Sequence, residues 1–313
     1  MSEQPARTIA TATRTLSKQA ADRRLLIIMA WIATLLMSKL PLVIARDLLG
    51  NDIPWIVPAW LITCALLFAL TIVWQTLRPM RGYIAIMGII LLVTSVGDPW
   101  ISQSSLWQRI FAGASPIVIL FGERALIAVE ALVVLAAVLL MGVKRRDAFL
   151  AIGKLNAPVQ GLPVPGRKKP VSWFFFGVIM MALLGGMFYL FLASQNQAAQ
   201  PNLEVIIPLL PLILACAALN AFGEEAMYRA APLSMLLPFA GAAQALWMTS
   251  VWFGLGHYYG GIPSGPFGFI EAGLVGLLMG KAMLDTRGMG WSWLIHVVLD
   301  TIIYIFLAIG AFS

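Results

Sequence analysis

The sequence predicts an all-α fold, a polytopic transmembrane helix bundle of about 8–9 spans. Three observations predict it. Hydrophobic residues make up 60% of the 313 and charged residues only 11%, against about 25% charged in soluble domains. Mean hydropathy is +0.89. The apolar residues also fall in runs of roughly 20, the helix length that crosses a hydrocarbon core. The net charge of +7 does not point to nucleic acid, because the basic residues stand where membrane topology places them.

Taken in order, the runs place spans at roughly 25–46, 54–77, 81–97, 116–143, 172–194, 204–231, 241–259, 267–286 and 290–312. The first follows a polar, basic stretch and lacks a clean small-residue cleavage site, so it reads as a retained span rather than a removed signal peptide. The third is short. The sixth is long and carries Pro208, Pro211 and Gly223.

A polar, Pro-rich and basic connection at 144–171 separates an N-terminal four-span region, 1–143, from a C-terminal region, 172–313. Lys and Arg cluster in alternate connections. Arg7, Arg14, Lys18, Arg23 and Arg24 precede the first span, Arg78 and Arg81 follow the second, and Lys144 to Lys169 fill the long connection. That alternation predicts a multi-pass protein of a cell (inner or plasma) membrane, N-terminus in the cytoplasm and C-terminus outside.

Cys64 and Cys216 both lie in apolar runs and are expected to stay unpaired; neither CxxC nor a Cys/His zinc spacing is present. In the N-terminal region, Lys39, the adjacent Glu123 and Arg124, and Glu130 read as structural pairing groups or residues at the membrane boundary. Gly276-x-x-x-Gly280 reads as a close helix contact. Trp291 and Trp293, near a span end, read as interfacial anchors.

The chemistry concentrates in the C-terminal region. Ionisable groups at membrane depth cost about 2.5–3.5 kcal/mol each on insertion scales, which makes them candidates for a functional site. Here the chain places Glu224, Glu225 and Arg229, then Phe253 and His257, then His296 and Asp300, in three separate apolar segments. His257 and His296 are its only histidines. Glu225 and Arg229 are one helical turn apart with the acid first, the favourable order for a pair. That leaves Glu224 free to meet a different neighbour as a general base. His296 and Asp300 are likewise one turn apart. Straight helices would put His257 toward the opposite face from Glu224 and His296, so the seventh span is expected to be tilted, broken or short. Gly254, Gly256, Gly260 and Gly261 would permit this.

Glu-Glu-x-x-x-Arg, Phe-x-x-x-His and His-x-x-x-Asp, in this order and spacing, resemble the three motifs of the CAAX-protease and bacteriocin-processing (CPBP, or Abi) family, over roughly 172–313. The resemblance implies an intramembrane endopeptidase, hydrolysing a membrane-associated peptide or protein with the bilayer as its surroundings. Glu224 would be the general base and His257 would help hold the water. His296 and the residue at 300 would stabilise the oxyanion. Glu225, Arg229 and Phe253 would support the site. Members with Asn at position 300 can donate to an oxyanion; an ionised Asp300 cannot. Asp300 is therefore expected to orient His296 and pair with its charged form, leaving His296 as the donor. No cofactor is expected.

Two alternatives use the same residues. A zinc peptidase would ligate its metal through Glu224, His257 and His296, although no H-E-x-x-H is present. A non-catalytic regulator or immunity protein of the same fold would bind a membrane peptide without cutting it. A serine protease is disfavoured, because Ser250 and Ser264 are poorly placed relative to His257, and a proton-coupled carrier is a further class that places acids and histidines at depth.

Overall fold

The computed structural model of the chain describes residues 3–161, 170–195 and 203–312. Arg167, Lys168 and Lys169 of the long connection lie outside them. Among the described residues the regular elements are all helices, with one isolated bridge between Pro158 and Ser172. In chain order the helices are α1 (Glu3–Leu36), α2 (Leu40–Val43), α3 (Ile56–Val73), α4 (Arg81–Leu92), α5 (Asp98–Ser102), α6 (Ser105–Ile110) and α7 (Pro116–Leu140). After the long connection come α8 (Trp173–Gln195), α9 (Leu203–Glu225), α10 (Ala231–Ala240), α11 (Ala242–Gly260), α12 (Gly265–Thr286) and α13 (Gly290–Phe312).

Among the described residues, six helical stretches are long and apolar enough to cross a membrane: Ile56–Val73, Gln75–Ser102, Trp173–Gln195, Ile206–Ala240, Gly265–Thr286 and Gly290–Ala308. Gln19–Leu36 and Leu40–Leu48, bent by 55° at residues 37–39, make a seventh if counted as one span. The count is therefore a little below the 8–9 expected. The two shortfalls have physical reasons. Every 18-residue window of α7 contains Glu123, Arg124 and Glu130. The apolar content of α11 is diluted by Gln244, Thr249, Ser250, three glycines, His257 and two tyrosines. Both segments are helices as the sequence predicts, but composition alone does not mark them as spans.

Chemistry fixes the ends of several helices. Pro116 and Pro266 occupy the first turns of α7 and α12, where the missing N–H costs nothing. Ser104 caps α6 by accepting from the Trp107 N–H. The expected sixth span continues through a π-turn at Ala226–Ala230 into α10, so Ile206–Ala240 forms one long stretch. A π-turn adds a residue to the helical ladder and often marks a functional position.

Small residues set the close contacts. A Cβ on Gly280 would come within 2.6 Å of Leu246 Cδ1, and one on Gly254 within 2.5 Å of the Phe269 carbonyl oxygen. The α11–α12 hairpin therefore packs backbone to backbone, as the Gly276-x-x-x-Gly280 spacing predicts. Gly223 of α9 faces Ile127 of α7, where any Cβ would collide.

The long connection is docked onto the C-terminal helices where it is described. Lys154 N–H donates to the Thr286 carbonyl, and the N–H groups of Met289 and Gly290 donate to Ala151 and Ile152. Asp285 accepts from Gln160 N–H, Trp173 Nε1 and Lys281 Nζ at 3.0, 2.9 and 2.8 Å. This docking corrects the reading of Trp291. Trp291 is 2% exposed and donates Nε1 to the Leu155 carbonyl, while Trp293 donates to Ala218. Trp291 is thus an internal packing group rather than an interfacial anchor, while Trp293 is partly exposed and tied to α9. Cys64 and Cys216 are free and buried.

Candidate functional site

Residues of five helices, α7, α9, α11, α12 and α13, converge on a cavity of about 180 Å³ lined by Arg124, Asn220, Glu224, Phe253, His257 and His296, with Glu271, Asp300 and Tyr304 completing its polar wall. The structure thus brings all four sequence-predicted site residues, Glu224, His257, His296 and Asp300, to one place. The seventh span is neither broken nor shorter than expected: α11 runs unbroken over Ala242–Gly260, and its last turn carries His257 at the cavity wall, just before the turn into α12.

Glu225 is fully buried and is the anchor of the site. It pairs with Arg229 one turn on, as the spacing predicts. Glu225 Oε1 also lies 2.8 Å from His296 Nδ1. An ionised carboxylate only accepts, so this bond puts a proton on Nδ1 and fixes the ring. Arg229 lies 3.8 Å from the Phe253 ring centroid, a cation–π contact. Phe253 in turn packs on His257 with centroids 4.3 Å apart. One chain of contacts therefore runs from Glu225 through Arg229 and Phe253 to His257. His257 Nδ1 lies 3.0 Å from the Phe253 carbonyl. A carbonyl can only accept, so the neutral ring keeps Nε2 as an acceptor.

His296 Nε2 is 3.6 Å from both Glu224 Oε2 and Asp300 Oδ1. The closest partner of this ring is therefore Glu225, on the Nδ1 side, and Asp300 stands beside the opposite nitrogen. The two carboxylates at Nε2 are bridged by a residue the sequence reading did not single out. Asn220 Nδ2 donates to Glu224 Oε1 at 3.2 Å and to Asp300 Oδ2 at 3.0 Å. Asn220 Oδ1 accepts from Arg124 at 3.1 Å, which settles the orientation of the amide. Glu224 Oε2 is buried without a hydrogen-bond partner.

The signal for Asn220 was available. It lies one turn before Glu224 on the same face, an amide in an apolar run. Arg124 could not be assigned from sequence, because its partner lies on a helix nearly a hundred residues away. It is held there by the α7–α9 contact at Gly223 and Ile127, one turn along each helix. The N-terminal region therefore contributes a side chain to the site.

As to a metal, the described residues contain no group of three or more His, Cys, Asp or Glu arranged to hold one.

The architecture and the site define a class: a multi-pass helical membrane protein with a buried cluster of acids, imidazoles and arginines at a cavity. A family model described as "Type II CAAX prenyl endopeptidase Rce1-like" matches residues 206–302. That stretch holds all three motifs, and the match agrees with the resemblance drawn from them. It is about a third of the chain. No curated protein and no solved structure matches the chain.

Proposed function

We propose that this protein is an intramembrane endopeptidase that hydrolyses a membrane-associated peptide or protein through a water activated by Glu224. The observation that carries the reading is the state of the Glu224 carboxylate. One oxygen is tied down by Asn220, and the other is buried, unpartnered and close to His296. A fixed carboxylate with one free oxygen at a cavity wall is what a general base requires.

In this reading a water lies between Glu224 Oε2 and His257. Glu224 takes its proton as the oxygen attacks the scissile carbonyl carbon. The C–O bond forms, the carbonyl π pair moves onto oxygen, and His296 donates to that oxyanion. Collapse of the intermediate breaks the C–N bond, and the proton on Glu224 passes to the leaving amine. Donors aimed in advance at the oxyanion contribute most in a site poor in water. Glu225 fixes His296 for this task from the Nδ1 side, and Asp300 pairs with the charged ring from the Nε2 side. The family match supports the peptidase class; the assignment of Glu224, His257, His296 and Asp300 to these steps, without a metal, is the proposal.

The test is peptide mass spectrometry of membranes from cells carrying the intact protein or Glu224→Gln. Fragments with new termini should appear with the intact protein and vanish with the variant. Fragments that persist unchanged would overturn the reading, and the complete absence of differential fragments would favour a non-catalytic peptide binder.

A further inference from the structure

A second cavity, of about 270 Å³, lies behind the site. Its lining includes Ser38, Lys39, Trp60, Thr94, Tyr228 and Trp252. Tyr228 stacks on both Trp252 and Phe253, so an aromatic wall separates this cavity from the one holding Glu224. The motif residues have no part in it.

Its polar groups are unbalanced. Lys39 sits in the bend between α1 and α2, its Nζ 4.8 Å from the centre of the Trp60 ring. Among the described residues no carboxylate lies within ion-pair distance of it. Trp60 is 4% exposed, and its Nε1 is buried without an acceptor. An indole N–H can only donate, and a protonated lysine can only donate. A buried donor without an acceptor is costly, and Lys39 has no carboxylate to balance its charge, so the pair together call for an anionic acceptor.

The surroundings narrow the kind of anion. Leu36, Leu92 and Val96, neighbours in sequence of the lining residues, are exposed at 44%, 49% and 43%. In a chain that spans the bilayer these side chains meet acyl chains. Two unmatched donors on segments that also present apolar side chains to lipid suit a phosphate carried on a lipid.

We propose that the Lys39–Trp60 cavity binds a phosphate group, that of an anionic membrane phospholipid. The Lys39 ammonium neutralises the phosphate and Trp60 Nε1 donates to one of its oxygens. The site does not depend on the peptidase reading. Because Tyr228 of this cavity packs on Phe253 of the Glu224 cavity, the bound headgroup also braces that wall.

Native mass spectrometry of the purified full chain in a neutral detergent tests this, with phosphatidylglycerol, chain-matched phosphatidylcholine or inorganic phosphate added in turn. The intact protein should retain phosphatidylglycerol in preference to phosphatidylcholine. Lys39→Gln should weaken retention about tenfold, the scale of one hydrogen bond to a charged group. Trp60→Phe, which keeps the ring and removes only the donor, should weaken it less. Lys39→Arg should preserve it, which separates loss of the site from loss of the fold. Equal retention of the two lipids, or undiminished phosphatidylglycerol binding by Lys39→Gln, overturns the proposal. Displacement of the lipid by inorganic phosphate at comparable concentration would support the phosphate site and overturn its assignment to lipid.

Discussion

Glu225 and Glu224 are adjacent and chemically identical, yet their surroundings divide their work. Glu225 accepts from Arg229 and His296 in a fully buried position, so its removal strands a buried guanidinium. Breaking such a pair costs about 3–5 kcal/mol. Glu225→Ala should therefore lower the amount of folded protein, read by quantitative immunoblot of membranes, while Glu224→Gln should accumulate normally and lose cleavage. Normal accumulation of Glu225→Ala with loss of Glu224→Gln would reverse the two roles. Asn220 gives a finer test. Its amide donates to Glu224 and Asp300 while its oxygen takes Arg124. Asn220→Asp would set a third carboxylate against those two and should lower kcat by about 10²–10³, the scale of losing one pre-aimed donor. Adding Asp300→Asn restores one amide and one carboxylate in exchanged positions, with the new acid against Arg124. It should recover much of the loss in a turnover assay with a peptide identified by the mass-spectrometric screen. No recovery would mean that Asn220 serves packing alone. The three motifs were legible in the sequence because each repeats on one helix face. Asn220 was legible only in part, since nothing in a single segment shows that two acids from different helices need a shared donor.

At the scale of helices, the site depends on how closely α7 approaches α9. Gly223 lies against Ile127, and one turn along the same interface Arg124 reaches Asn220. Gly223→Val should push the two helices apart. Overpacking of this kind costs about 1–3 kcal/mol, expected as a lower apparent melting temperature in detergent. Activity should fall further than stability, because the Arg124–Asn220 bond opens at the same time. A variant that melts as the parent does would show that α7 can yield without cost. The sequence already placed α7 through its apolar run, and Gly276-x-x-x-Gly280 marked a close contact of α12 without naming α11 as the partner. It did not reveal that α7 supplies a site residue, because a helix pairing between distant segments leaves no periodic trace. Trp291 illustrates the same limit. A tryptophan at a span end satisfies the interfacial rule equally well when a connecting segment folds over it, and only the docking of 150–160 decides between the two.

For the whole molecule, the open question is how many helices cross and in which sense. Counting the bent first stretch, seven segments pass on length and composition; α7 and α11 would make nine. They fall short because of the side chains that build the site, including Arg124 on α7 and His257 on α11. Polar groups that face a protein cavity are not charged the full cost of lipid exposure, so both helices can cross within the bundle. Seven and nine are both odd, and either count puts the two ends on opposite sides; six or eight would put them together. The cations choose the sense. Arg23 and Arg24 flank the first span, Arg78 and Arg81 the next turn on that side, and Lys144, Arg145 and Arg146 open the long connection. We therefore predict a cytoplasmic N-terminus, a cytoplasmic connection at 144–161 and an external C-terminus. Paired reporters fused at each end, one active only in the cytoplasm and one only outside, should give opposite signals, and a cysteine placed at Ile152 should resist an impermeant thiol reagent in intact cells. Like signals at both ends would require an even number of crossings, and α7 or α11 would then have to enter and leave the bilayer on one side. For α11 that outcome would still leave His257 at its cavity, because the last turn of the helix, not its full length, carries the imidazole.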